Sequence, residues 1–296
     1  MKKTMIMVAI ALMVMGCEQK NNSALPHDNE IRIEARMPGS EITRVAGTAF
    51  EQGDRMSLYA VEYNGEEVSE VQPSGNYINN ARLTYNGSLW ESSQPLYWSA
   101  VPCDFYGMYP YQELTSLKDV MFEVATDQSG ERTADALGGY EASDLMWAKA
   151  EHVSQADGSV LLSFHHMMSR LVVKLEKGPK FDGKIPDDVV CHIYNTATTA
   201  LVDYTIGSVE KYVFSDSKTI KMHKIDEMTF EAIVVPQFIE RTTPLIEVTM
   251  GGIAYLLEYS ISLRPGMQHT VSIILNTSPD QEKIEISIEG DTGEWN

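Results

Sequence analysis

At 296 residues the chain exceeds one ordinary domain and suits two of roughly 100–200 residues, each able to bury a core without a disulfide or metal staple. Its 42 acidic side chains outnumber 23 basic ones, a formal charge of −19 with no compensating basic stripe, so nucleic acid is excluded as a partner. With 43% apolar and 22% charged residues, the composition also excludes a disordered chain.

Lys2 and Lys3 precede an apolar run from Met5 to Met15. That run is too short to cross a hydrocarbon core of roughly 30 Å and has the pattern of a cleaved secretory signal. It ends in Val14-Met15-Gly16-Cys17, which resembles the lipobox of bacterial lipoproteins, although Met15 is bulkier than the residue usual there. The resemblance implies that residues 1–16 are removed and that Cys17 becomes a lipidated N-terminus held in the membrane; the alternative is a plain signal with an incidental cysteine. Acylation with two or more chains anchors firmly, so the expectation is a chain tied to a membrane and not spanning it. Residues 17–29 are polar with one proline and read as a tether.

From residue 30 onward short alternating runs recur, among them Ile31-Arg32-Ile33-Glu34-Ala35, Met56-Ser57-Leu58-Tyr59-Ala60-Val61 and Ile284-Glu285-Ile286-Ser287-Ile288. A period of two means one buried and one wet face, the pattern of antiparallel sheets. Asn64-Gly65, Asn86-Gly87, Asp157-Gly158, Gly251-Gly252 and Pro265-Gly266 supply turns between the runs. Helical periodicity is scarce, so the expected fold is all-β, two tandem β-sandwiches with little helix. The boundary falls in Gln155-Ala156-Asp157-Gly158, giving an N-terminal domain over 30–156 and a C-terminal domain over 157–296. In Val160–Met168 the apolar phase runs through Leu162, Phe164 and His166, then flips after Ser169-Arg170 to Leu171, Val173 and Leu175, which predicts a bulge or bend.

Few residues suggest chemistry. Nucleophile-elbow, zinc-protease, phosphate-loop and Cys-x-x-Cys motifs are absent from the sequence. Adjacent strand residues point to opposite faces, so His165 and His166 cannot jointly grip one metal ion, and His166 reads as a core histidine. Asp127-Gln128-Ser129-Gly130-Glu131 lacks the calcium-loop pattern and reads as a solvated acidic loop. Cys103 and Cys191 read as two buried thiols, a bridge between them being the alternative. The aromatic stretch Tyr97, Trp98, Phe105, Tyr106, Tyr109 and Tyr111 reads as core and edge packing, the alternative being an exposed platform for sugar rings.

An ordered set of segments resembles the fimbrillin family of lipoprotein-derived pilin and fimbria-associated subunits. It runs through Thr43-Arg44, Phe50-Glu51-Gln52-Gly53-Asp54, Tyr85-Asn86-Gly87-Ser88-Leu89-Trp90, Leu96-Tyr97-Trp98, Asp104-Phe105-Tyr106 and Tyr109-Pro110. It continues with Asp127-Gln128-Ser129, Ser143-Asp144-Leu145-Met146-Trp147, Phe164-His165-His166, Leu171-Val172-Val173, Val235-Pro236-Gln237, Leu263-Arg264-Pro265-Gly266 and Glu294-Trp295. The resemblance implies transthyretin-like sandwiches with Greek-key connections and a structural or adhesive role in a fimbrium, with no catalysis and no cofactor. It also implies a lipoprotein exposed on the outer membrane, and an Arg-specific protease that removes an N-terminal strand so that a donor strand from another subunit fills the groove. The expected partners are other fimbrial subunits, outer-membrane lipid through Cys17, and a host or bacterial surface ligand. Candidate cleavage positions are Arg32, Arg36 and Arg44, with Arg44 favoured because it stands just before the Phe50–Asp54 block; an ordinary surface arginine is the alternative.

At the other end Ile284, Ile286 and Ile288 alternate with Glu285, Ser287 and Glu289. They form either a strand lent to another subunit or the last strand of this chain's own domain. Gly290-Asp291-Thr292-Gly293 is expected to break the run, with Trp295 following as a plug or edge cover. The rival function is a non-polymerising surface lipoprotein that binds a glycan or a host protein, and an extracellular hydrolase ranks third for want of a triad or metal set.

Overall fold

The computed structural model describes residues 29–37, 50–276 and 286–295, with the side chains of 286–288 excepted. Cys17, Arg44 and Ile284 lie outside the described residues. The chain runs through β1 (Ile33–Arg36), β2 (Arg55–Asn64), β3 (Glu67–Val68), β4 (Ile78–Tyr85), β5 (Trp90–Ser92), β6 (Cys103–Tyr109) and β7 (Val120–Glu123). A short helix, α1 (Gly139–Ser143), leads to β8 (Met146–Val153), β9 (Val160–Ser163), β10 (His165–His166) and β11 (Ser169–Lys177). Then come β12 (Val190–Ala197), β13 (Thr199–Asp203), β14 (Ser208–Lys211), β15 (Ser217–Lys221), β16 (His223–Lys224) and β17 (Thr229–Val234). The last are β18 (Gln237–Ile239), β19 (Pro244–Met250), β20 (Ile253–Glu258), β21 (Ile261–Leu263), β22 (Met267–Leu275) and β23 (Ile286–Glu294).

The expected all-β sandwich architecture is what the chain adopts. One large sheet has the order β10-β8-β6-β2-β4-β5 with β3 beside β2; two others, β16-β17-β11-β22-β23 and β15-β12-β19-β20, form the layers of the C-terminal sandwich. Leu171, Val173 and Leu175 from β11 meet Cys191, Ile193, Ile246 and Val248 from the facing sheet in a continuous core. The β19–β20 hairpin turns on Gly251 and Gly252, both at positive φ (57° and 76°), the geometry that a two-residue turn matched to strand twist demands. Pairing is mainly antiparallel, but β1 lies parallel to β9 and β11 parallel to β22, a distinction that side-chain alternation does not carry.

At its centre, in β2 and β6, the large sheet buries both faces. Every residue of β6 is buried. Cys103, Phe105 and Tyr109 point into a core shared with Met56, Leu58, Ala60, Val160, Leu162 and Phe164. Tyr106 and Met108, with Tyr59 and Val61 of β2, point the other way into the core that continues through the C-terminal sandwich. Gly107 leaves room for this packing, since a Cβ there would lie 2.8 Å from Phe164 Cζ and 2.9 Å from Leu162 Cδ1.

Two local expectations are corrected and one is narrowed. The apolar phase flip near residue 169 is the expected bend and not a bulge. The chain leaves the large sheet at β10, crosses on Met167 and Met168, which are 1% and 0% exposed, and enters a different sheet at β11. Residues 160–166 pair with N-terminal strands, β9 with β1 and β10 with β8.

Gly290-Asp291-Thr292-Gly293 does not break the last strand, which pairs with β22 from Leu275↔Ile286 to Met267↔Glu294. The glycine makes room for Tyr259, whose Oη occupies the place a side chain at 290 would take. Asp127–Glu131 is not wholly solvated either. Gln128 is fully buried, its amide donating to Ile233 O (2.7 Å) and Ala125 O (3.1 Å) and accepting from Ile233 N–H (2.8 Å). Gln128→Leu keeps the volume but strands those main-chain groups, and denaturant unfolding should show a loss of about 1–3 kcal/mol per group left unpaired.

Candidate functional site

The N-terminal strand fills a groove in the first core. Alternation turns Ile31 and Ile33 inward, 8% and 7% exposed, into the cluster that holds Trp98, Phe105, Val160 and Phe164, while Arg32, Glu34 and Arg36 face solvent. On one side Val160 N–H donates to Arg32 O (2.8 Å) and Phe164 N–H to Arg36 O (2.9 Å). On the other, Ile31 N–H donates to Leu96 O (2.8 Å) and Trp98 N–H to Asn29 O (3.0 Å). Each buried isoleucine contributes about 1.5–3 kcal/mol to holding the strand. Arg32 and Arg36 thus offer exposed side chains but hydrogen-bonded carbonyls.

Phe50, where the described chain resumes, closes the same core with edge-on contacts to Trp90 (4.9 Å), Tyr109 (5.6 Å) and Phe164 (5.6 Å). The Gly53-Asp54 turn forms as its residues dictate: Gly53 sits at φ +94° and Asp54 accepts from Glu51 N–H (2.7 Å). Sequence reasoning missed the rest of this centre. Asp54 is 4% exposed, pairs with Arg132 (2.6 Å) and accepts from Tyr109 Oη (3.1 Å). Burial, with Asp54 beside it, pushes the Tyr109 hydroxyl pKa well above the ordinary tyrosine range.

At the chain's other end Trp295 is 6% exposed and lies flat on His166, with ring centroids 3.6 Å apart and planes 4° from parallel. Its main-chain N–H donates to Gly266 O (3.3 Å), and His166 Nδ1 is 2.7 Å from Asp144 Oδ1. His166 is therefore a buried histidine with a carboxylate partner, and His165 turns to the opposite face against Trp147 (5.4 Å). Burial and then His166 lower the His165 pKa. Asp144 ends α1, whose Tyr140 donates to Glu231 Oε2 (2.9 Å), where Arg170 Nε also binds (2.8 Å). Neither Asp144 nor Tyr140 had a sequence signal of this role, since both partners come from distant strands. Ile286 and Ile288 are backbone partners of Leu275 and Ile273.

Trp98, Phe105, Tyr106 and Tyr109 are all buried; within the aromatic stretch Tyr97 is exposed and Tyr111 half-buried. Cys103 and Cys191 are buried and free. Burial, then Glu62, pushes the Cys103 thiol up to about 11, and burial raises that of Cys191 further. Both are unreactive at neutral pH. Among the described residues no group of three or more His, Cys, Asp or Glu side chains is placed to hold a metal ion.

The chain resembles known proteins over nearly the same span as this fold. A relative from Bacteroides uniformis, named "Putative fimbrium subunit Fim1C", is 27% identical over 248 residues, covering 80% of this chain and 76% of its own length. One from Bacteroides ovatus, named "Putative fimbrium tip subunit Fim1C", is 35% identical over 143 residues, which is 43% of this chain but 24% of that longer protein. The crystal structure of a "putative cell adhesion protein" from Bacteroides ovatus superposes with a TM-score of 0.67 at 16% identity, covering 90% of this chain and 98% of that one. The fimbrillin-like family model matches residues 43–295, and the chain belongs to that family.

Proposed function

We propose that this chain is a cell-surface fimbrial subunit that accepts a strand from another subunit in the groove now filled by β1. The observation that carries the reading is the segment 31–36, whose inward Ile31 and, within β1, Ile33 close a core otherwise built mainly from β2, β4, β5, β6, β8 and β9. Removing it would leave two isoleucine-sized pockets and unpaired groups along β9 and the Leu96–Trp98 segment. An alternating apolar strand satisfies both needs at once. The fimbrium subunit names of its relatives support the same role. In this reading Cys17 anchors the exported chain in the outer membrane, cleavage after Arg44 frees β1, and β23 serves its own sheet while the donor strand comes from elsewhere. We place the division between the two sandwiches at Met167–Met168, where the chain changes sheets.

Maturation by an Arg-specific protease should give surface material whose N-terminal sequence begins at Val45. The cut protein should bind a synthetic peptide of residues Glu30–Met37, whereas uncut protein and an Ile33→Asp peptide should not bind. Equal binding to cut and uncut protein would refute the acceptor groove. Cys17→Ser should move the protein out of the membrane fraction, and continued partition into detergent would count against the anchor. Trp295→Ala should cost about 3–5 kcal/mol, read as a lower melting temperature of the monomer; an unchanged melt would show that β23 is not part of its own fold.

A further inference from the structure

We propose that Lys149 and Asp104 form an intramolecular amide that covalently links β8 to β6. The two strands pair directly at Tyr106↔Lys149, which places Asp104 one diagonal step along the same face. Lys149 Nζ is 3.0 Å from Asp104 Oδ2, and Asp104 is 1% exposed. Among the described residues no donor other than the Lys149 amine reaches that buried oxygen. Asp104 Oδ1 is held separately, accepting from Tyr63 Oη (3.0 Å) and from His152 N–H (2.9 Å). Glu151 Oε1 lies 2.8 Å from Lys149 Nζ.

The backbone is shaped around this carboxyl. Between Cys103↔Val153 and Phe105↔Ala150 the register shifts by one residue, a bulge in β8 opposite Asp104. Within it His152 adopts φ +51°, a left-handed conformation that costs free energy in a non-glycine residue and that brings its N–H to Oδ1. Bulges that re-aim groups recur beside reactive sites. The Tyr106 ring lies 5.2 Å from the Lys149 ammonium and helps enclose the pair.

The reaction is a condensation that needs no co-reactant. At rest the pair is ionised. Desolvation lowers the Lys149 pKa, but hydrogen bonds to Glu151 and Asp104 outweigh it and leave the ammonium above the ordinary lysine range. The reactive form is reached when Nζ passes one proton to Oδ2 across their contact, giving a neutral amine beside a carboxylic acid. The nitrogen lone pair then attacks Cγ, and the C=O electron pair moves to Oδ1, where Tyr63 Oη and His152 N–H stabilise the developing charge. Glu151 takes the second proton from nitrogen and returns it to the Oδ2 hydroxyl, which leaves as water as the carbonyl re-forms. A buried carboxylate and a partly exposed ammonium become one neutral amide, which removes the desolvation cost of the Asp104 charge.

Peptide mapping of the purified protein by mass spectrometry tests the assignment. The expected result is one joined species containing Lys149 and Asp104, lighter than its two peptides by one water. Lys149→Met should abolish it, and Glu151→Gln should give a protein with the same circular dichroism spectrum but separate, full-mass peptides. Tyr63→Phe should slow its appearance in a time course from freshly refolded protein. Separate full-mass peptides from wild-type protein after prolonged incubation at neutral pH, or a water loss mapped to other residues, would overturn the proposal. Joined peptides undiminished in Glu151→Gln would overturn the role given to Glu151.

Discussion

A sheet buried on both faces governs this molecule. β2 and β6 lie at its centre, and successive side chains go alternately to two different cores, Phe105 to one and Tyr106 to the other. At that centre there is no wet side, so a strand laid against it has to be apolar where it touches and satisfied along its backbone. Burial of this kind is the largest favourable contribution to folding, at about 25 cal/mol per Å² of apolar surface removed from water. The groove for β1 and the seat of the C-terminal sandwich are the two sides of that one layer.

The two ends of the chain are held differently, and the difference has functional weight. β1 is four residues long and rests on β9, with its own Ile33 and the preceding Ile31 as the main apolar attachment. β23 pairs over nine positions with β22 and is closed by Trp295 on the His166–Asp144 pair. A short strand with few anchors is the kind of element that leaves at low cost, whereas a long one closed by a buried indole is not. Helix α1 ties the second arrangement to the body of the fold, because it carries both Asp144 and the Tyr140 that meets Glu231 and Arg170.

Buried polar groups mark where the architecture is specified closely. Asp54, Asp104, Gln128 and Asp144 all sit within the core, and each binds residues far away in sequence. A buried charge left unpaired is costly, so each such residue demands its partners and thereby selects one arrangement of strands. Asp104 stands apart among them, because one of its oxygens accepts from Tyr63 and His152 while the other meets only the Lys149 amine.

Much of the fold was legible in the chain itself. Period-two runs such as Ile31–Ala35 and Met56–Val61 mark strands because extended backbone points successive side chains to opposite faces. Gly53-Asp54 and Gly251-Gly252 mark turns because the glycines take φ values that suit few other residues and Asp54 binds nearby backbone. The same alternation made the inward setting of Ile31 and Ile33, and the opposite facing of His165 and His166, readable without coordinates. What alternation cannot say is which strand lies beside which, since hydrogen bonds between main chains are the same for every residue type. Hence the parallel seating of β1 on β9, the crossing between sheets at Met167–Met168, and the run of β23 through Gly290–Gly293 came only from tertiary structure. The meetings of Asp54 with Arg132, Gln128 with Ile233 and Lys149 with Asp104 belong to that second class too. Each joins residues whose separation in sequence carries no trace of contact, and only the packing of layers brings them within reach.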